Sequence, residues 1–136
     1  MTPHAALAQS FSLPNGTLVR NRIFKSAMSE ALATSDGAPT PALTHLYGAW
    51  ADGGVGLCVT GNVMIDARAL GEPGNVVIED ERHFDALCAW AAAATRHGTQ
   101  CWVQLNHPGK QAPTGLNREN VAPSVVPFRA EMKAFF

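Results

Sequence analysis

Gly53-Gly54-Val55-Gly56-Leu57-Cys58-Val59-Thr60-Gly61-Asn62 holds a helix stop, a buried strand and a strand tip in one short stretch. Paired glycines end a helix because they adopt the left-handed backbone of a C-cap without a Cβ penalty. The run Val55 to Val59 has no polar alternation, the pattern of a strand covered on both faces. Upstream, Thr40 suits a helix N-cap and Pro41 its first turn. Leu43, Leu46, Tyr47 and Trp50 then fall at i, i+3, i+4 and i+7 on one apolar face. Downstream, a second helix is expected from near Asp80 to His97, with the acidic run Glu79-Asp80-Glu81 at its dipole-favoured start and Gly98 at its end. Phe84, Leu87, Cys88, Ala91 and Ala94 are its expected buried face. Gln100 to Leu105 reads as a strand, and so does Arg22 to Ala27. Ahead of these, Asn15-Gly16 predicts a small hairpin with a type I′ turn. Strand, helix, strand, helix, strand with short links predicts parallel strands joined by right-handed crossovers, an α/β fold.

The chain has 136 residues, 46% hydrophobic and 15% charged, with a net charge of -1. That balance fits a globular protein and gives no electrostatic reason to expect nucleic acid or an anionic membrane as partner. Cys58, Cys88 and Cys101 lie far apart in apolar runs, so buried reduced thiols are expected and no metal site. No apolar segment approaches the ~20 residues of a membrane span, and Met1 to Ser10 lacks the pattern of a signal peptide. A cytoplasmic location is the expectation. Residues 107–136 read as a long loop, broken by Pro108, Pro113, Gly115, Pro123 and Pro127. So long a loop in a compact domain, ending in Phe135-Phe136, suggests an incomplete domain.

Ligands sit at the carboxyl ends of parallel strands. Here those ends carry small or amide-bearing residues: Ser26-Ala27-Met28-Ser29, Thr60-Gly61-Asn62 and Gln104-Leu105-Asn106-His107. Together they look like one wall of a binding site. His107 precedes Pro108-Gly109-Lys110 with no carboxylate or nucleophile beside it in sequence, so a loop-orienting role is expected and no catalytic residue is assigned. A solvated lysine is the plain reading of Lys110.

Asn15-Gly16-Thr17-Leu18, Asn21-Arg22-Ile23, Ala27-Met28-Ser29, Gly53 to Leu57, Thr60-Gly61-Asn62, Gln104 to Lys110 and Ala122-Pro123-Ser124 occur in an order that resembles the old yellow enzyme family of NADH:flavin oxidoreductases. The resemblance runs from about Leu13 to Ser124. It implies part of a TIM (β/α)₈ barrel over residues 1–136: the N-terminal hairpin and about the first three β/α units, since such barrels take ~250 residues. It also implies FMN as cofactor and NAD(P)H as reductant, with α,β-unsaturated carbonyl compounds as acceptors. Carried over residue by residue, the flavin contacts are Ala27, Met28, Ser29, Asn62 and Gln104. Ser29 would donate to the N5/O4 edge and Gln104 would meet the pyrimidine edge, while Asn62 would contribute mostly backbone. Each has a plainer reading: a loop-capping serine, a strand methionine in core packing, a glutamine satisfied by backbone. A tyrosine found in one subgroup is replaced by Ala31. The substrate-binding His pair, the tyrosine proton donor and the phosphate-gripping strands are expected beyond Phe136, so the chain alone is expected to be inactive. The alternative is a non-catalytic barrel fragment that associates with another chain, either a complementing C-terminal half or a second copy.

Overall fold

A computed structural model describes residues 3–132. After a short helix α1 (Pro3–Leu7), strands β1 (Phe11–Ser12) and β2 (Leu18–Val19) pair antiparallel as the expected hairpin. Its turn is not type I′. Gly16 N–H bonds Leu13 O at 2.9 Å and Leu13 N–H bonds Thr17 O at 2.8 Å. Only Gly16 in this turn takes a positive φ, +86°. Pro14 is the reason: its ring fixes φ near −65° and builds a type I turn, leaving Gly16 as the left-handed residue of a bulge.

The main sheet contains β3 (Phe24–Lys25), β4 (Leu57–Met64), β5 (Val76–Val77) and β6 (Gln100–Asn106), all parallel to β4. β3 pairs with the first two residues of β4 and the short β5 with its last two, while β6 runs along β4 from Leu57 to Met64. Helix α2 (Pro41–Asp52) joins β3 to β4, and α3 (Phe84–Ala94) leads to β6. The Thr40 hydroxyl caps α2 by accepting from Leu43 N–H at 3.3 Å, as its position predicts. Leu43, Tyr47, Cys58, Val63, Val76, Trp90 and Ala94 form the core between sheet and helices. Tyr47 meets the Trp50 and Trp90 rings edge-on at 4.8 and 5.1 Å.

The second helix differs from expectation in its start, its face and its end, which falls at Ala94 before a separate 3₁₀ turn (Arg96–Gly98). It begins at Phe84, because Glu79 and Asp80 are spent on ion pairs with Arg82 and do not enter the first turn. Its buried residues are Trp90, Ala93 and Ala94, while Phe84, Cys88 and Ala91 are exposed. The helix is apolar nearly all round, so periodicity could not select the packed face. Cys88 is therefore exposed, against the expectation for all three thiols, whereas Cys58 is buried and Cys101 half-buried. Among the described residues from His107 onward there are only turns and short 3₁₀ segments (Gly109–Gln111, Ala130–Met132). The final Phe135-Phe136 lies outside the described residues. Among those described, no helix is long and apolar enough to cross a membrane.

At the amino end of the sheet, Arg20 gathers carbonyls from three segments. It donates to Ala51 O at 2.9 Å, to Val55 O at 3.1 and 3.2 Å, and to His97 O at 2.8 Å. This ties the hairpin to the ends of both helical connections.

Candidate functional site

β4 and β6 stay in register from Leu57/Gln100 to Val59/Trp102, then shift by one residue. Thr60 and Gly61 together oppose Val103 alone, and Asn62 falls opposite Gln104. Such a bulge is uncommon between parallel strands; it re-aims the residues beyond it and is over-represented beside active sites. A glycine inside a strand pattern was the sequence signal for it.

The bulge breaks the ladder, and side chains take over the released backbone groups. Thr60 Oγ1 accepts from Gln104 N–H at 2.9 Å and donates to Gly61 O at 2.8 Å. Gly61 N–H donates to Glu30 Oε1 at 3.1 Å, with Tyr47 Oη 3.3 Å away. Tyr47 in turn donates to Glu30 Oε1 at 2.5 Å. Lys25 Nζ reaches Val59 O at 2.9 Å and Glu30 Oε1 at 3.4 Å, and lies 4.3 Å from the centre of the Trp50 ring. Burial, and secondarily the Glu30 carboxylate, raise the Tyr47 pKa far above the usual phenol range, so the hydroxyl keeps its proton and donates. Glycine is required at 61, because a Cβ there would come within 3.0 Å of the Glu30 carboxylate and the Met28 carbonyl.

That close approach brings the tip of β3 against β4. Met28 is half-exposed and Ala27 partly covered beside it. Beyond the bulge, Gln104 Nε2 donates to Asn62 Oδ1 at 2.7 Å. The Asn62 side chain is thus engaged as well, beside the mostly backbone contribution expected of this residue. This bond leaves Gln104 Oε1 and the Asn62 amide hydrogens out of the pair, one acceptor and one donor group at an exposed strand tip. Ser29 behaves differently. Its hydroxyl donates to Glu72, a residue of the loop after β4, whose carboxylate also receives Asn75 Nδ2 at 3.2 Å. The single hydroxyl hydrogen of Ser29 is thereby turned toward the loop. Ala33 N–H to Gly74 O, 2.9 Å, adds a second tie between the same segments.

His107 accepts from Gly109 N–H at 3.1 Å through Nδ1, the loop-orienting role expected of it. Lys110 donates to Val126 O at 3.1 Å and stands 4.8 Å from the Phe128 ring centre, so it pins the tail and is not a free solvated lysine. Among the described residues no group of His, Cys, Asp and Glu could hold a metal. Three of the expected site segments, Ala27-Met28, Gly61-Asn62 and Gln104, lie together. Lys25, Glu30 and Tyr47 beneath them were not foreseen.

This architecture matches solved proteins. The old yellow enzyme from Trypanosoma cruzi superposes with a TM-score of 0.74 at 18% identity, over 93% of this chain and 36% of that one. Morphinone reductase superposes at 0.75 and 21% identity, over 89% and 32%. The shared fold is the old yellow enzyme TIM barrel, of which this α/β chain forms about a third. In sequence, the chain is 36% identical over 132 residues to the NADH-dependent flavin oxidoreductase iliE of Hypocrea jecorina (strain QM6a), covering 90% of this chain and 32% of the relative. It is 32% identical over 133 residues to an NADPH dehydrogenase of Bacillus cytotoxicus, covering 93% of this chain and 36% of the relative. The chain therefore spans about a third of the length of these curated relatives. The profile of the NADH:flavin oxidoreductase / NADH oxidase family, whose cofactor is FMN, matches residues 7–134, and the chain belongs to that family.

Proposed function

We propose that this chain supplies the strand-tip wall against which the FMN ring lies in an NAD(P)H-dependent oxidoreductase of old yellow enzyme type. The carrying observation is the Gln104–Asn62 pair, which leaves an acceptor and a donor at adjacent tips of parallel strands. A flavin's pyrimidine edge offers an N–H between carbonyls and asks for this pairing. Bound there, FMN would take hydride from a reduced nicotinamide and pass it to an electron-poor acceptor, with α,β-unsaturated carbonyl compounds the proposed class. Ala27 and Met28 would lie against the ring, their backbone held close by Gly61. Ser29, whose hydroxyl lies against Glu72, remains the proposed contact of the ring's N5/O4 edge.

FMN binding by the chain alone is expected to be weak, with Kd on the order of 0.1–1 mM, because only a few ring contacts offset the cost of association. Titration of isotope-labelled protein with FMN should shift the side-chain amide resonances of Asn62 and Gln104 first. Absence of shifts at both would remove the flavin reading; submicromolar binding would show that the chain grips far more than the ring edge.

A second reading concerns partners. Leu105 is 64% exposed on β6, and Ile23 and Phe24 are also exposed at the opposite edge. We infer that another chain or segment covers β6, either a complementing C-terminal half or a second copy.

A further inference from the structure

We propose that Lys25, Glu30 and Tyr47 are positioning residues for the strand-tip amide pair: they hold the bulge at Thr60–Gly61, and the bulge sets Asn62 opposite Gln104. Its consequence for the flavin rests on the function proposed above, but the positioning itself does not.

The cluster needs a reason to exist. The Lys25 and Glu30 side chains are only 8% and 12% exposed. Burying an ion pair costs desolvation that the mutual attraction seldom exceeds, so it is weak support for stability as such. Here Glu30 takes up a backbone group at the shift itself, and Lys25 one at Val59, the last residue paired before it. Glu30 accepts from Gly61 N–H, and Lys25 donates to Val59 O. With apolar residues in their place, both peptide groups would lose these side-chain partners beside the bulge, which disfavours the bulged register. A regular ladder moves Asn62 out of line with Gln104. A one-residue slip also turns every side chain beyond it to the other face. The polar cluster thus favours the bulged register over the regular one. Tyr47, held in the core against Trp50 and Trp90, fixes the Glu30 carboxylate from the helix side. In this way α2 is coupled to the tip of β4 without touching the amide pair.

The test is amide hydrogen exchange on the full chain, read by NMR. The reference is Gln100, whose N–H bonds Gly56 O at 3.0 Å in the same pair of strands before the bulge. In Glu30→Ala, exchange at Gly61 and Gln104 should accelerate roughly tenfold relative to Gln100, because a buried charge-assisted bond is lost locally. Glu30→Gln keeps an acceptor oxygen and should restore most of the protection at Gly61. Tyr47→Phe, a milder change that keeps the ring, should accelerate Gly61 by about threefold relative to Gln100. The Asn62 and Gln104 side-chain amide resonances should move toward their solvent-exposed positions in Glu30→Ala and return in Glu30→Gln. Equal acceleration at Gly61 and Gln100 in both Glu30→Ala and Tyr47→Phe would make the cluster general core packing and overturn the proposal. So would an amide pair whose resonances ignore all three substitutions. If the exchange pattern appears while FMN shifts nothing, the flavin reading fails and the positioning role stands.

Discussion

β4 and β6 lie side by side, paired at six positions, and both are built mainly from apolar residues. Yet Val63 in β4 is 1% exposed and its partner Leu105 in β6 is 64% exposed. The difference comes from neighbours. β4 has β3 and β5 along one edge, β6 along the other, and α2 and α3 over its outer face. Among the described residues, β6 pairs only with β4. An apolar run therefore states that a strand belongs inside something; the chain around it decides how much is enclosed. The proposed site lies where the enclosed and open strands meet, and its Asn62 and Gln104 come one from each.

This contrast can be broken by substitution. The largest effect is expected at Leu43, 1% exposed where α2 packs on the sheet. Leu43→Ala should cost about 3 kcal/mol, the removed methyl groups plus the cavity left behind. Urea unfolding of the purified chain measures it, and a loss below about 1 kcal/mol would mean that the core relaxes freely. A sharper test uses the paired residues themselves. Val63→Ala should cost about 2 kcal/mol, and Leu105→Ala no more than about 0.5 kcal/mol. Equal costs would show that β6 is covered in solution. Sedimentation velocity of the wild type and of Leu105→Ala would then identify self-association, since a second copy on β6 predicts a dimer that the substitution weakens.

The alternation of strands and helices was legible because caps, glycine stops and apolar runs are local signals. Thr40, Pro41 and Gly53-Gly54 bracket a helix whatever lies around it. The face of α3 was not legible for the reason β6 is open: Phe84, Cys88 and Ala91 have apolar character, and Trp90 is the residue that finds a partner. β5 escaped notice because two residues carry no period. At the site, the strand tips could be located, whereas the register between them could not. Gly61 was read only within its strand-end motif, and its bonds to Glu30 and Tyr47 span 31 and 14 residues. Glu30 in sequence is only an acid after a serine, and Tyr47 only one more apolar residue on a helix. Their polar roles exist once the strands have been brought together.

The smallest effect is expected away from both strands, in two matching turns. Asp66 bonds Arg68 N–H at 2.8 Å and its guanidinium at 2.9 and 3.0 Å; Asp80 bonds Arg82 N–H at 2.9 Å and its guanidinium at 2.6 to 3.0 Å. Hydrogen bonds from the neighbouring arginines, side chain before backbone, lower both carboxyl pKa values from 3.8 to about 2. A depressed folded-state pKa contributes stability above the unfolded value, and the contribution disappears as pH falls through the folded one. The window therefore runs from 3.8 down to about 2. Asp80 is exposed and Asp66 partly so, so the loss should be slight and should shrink with added salt. Asp66→Asn combined with Asp80→Asn should flatten this part of the curve of melting temperature against pH by slightly lowering the neutral-pH value, while the value at the acid end of the window stays nearly unchanged. The Val63 and Leu105 costs should stay as different in that background as in the wild type, because neither turn touches the β4–β6 ladder. A convergence of the two costs would mean that the turns, and not the neighbouring strands, set how deeply β4 is enclosed.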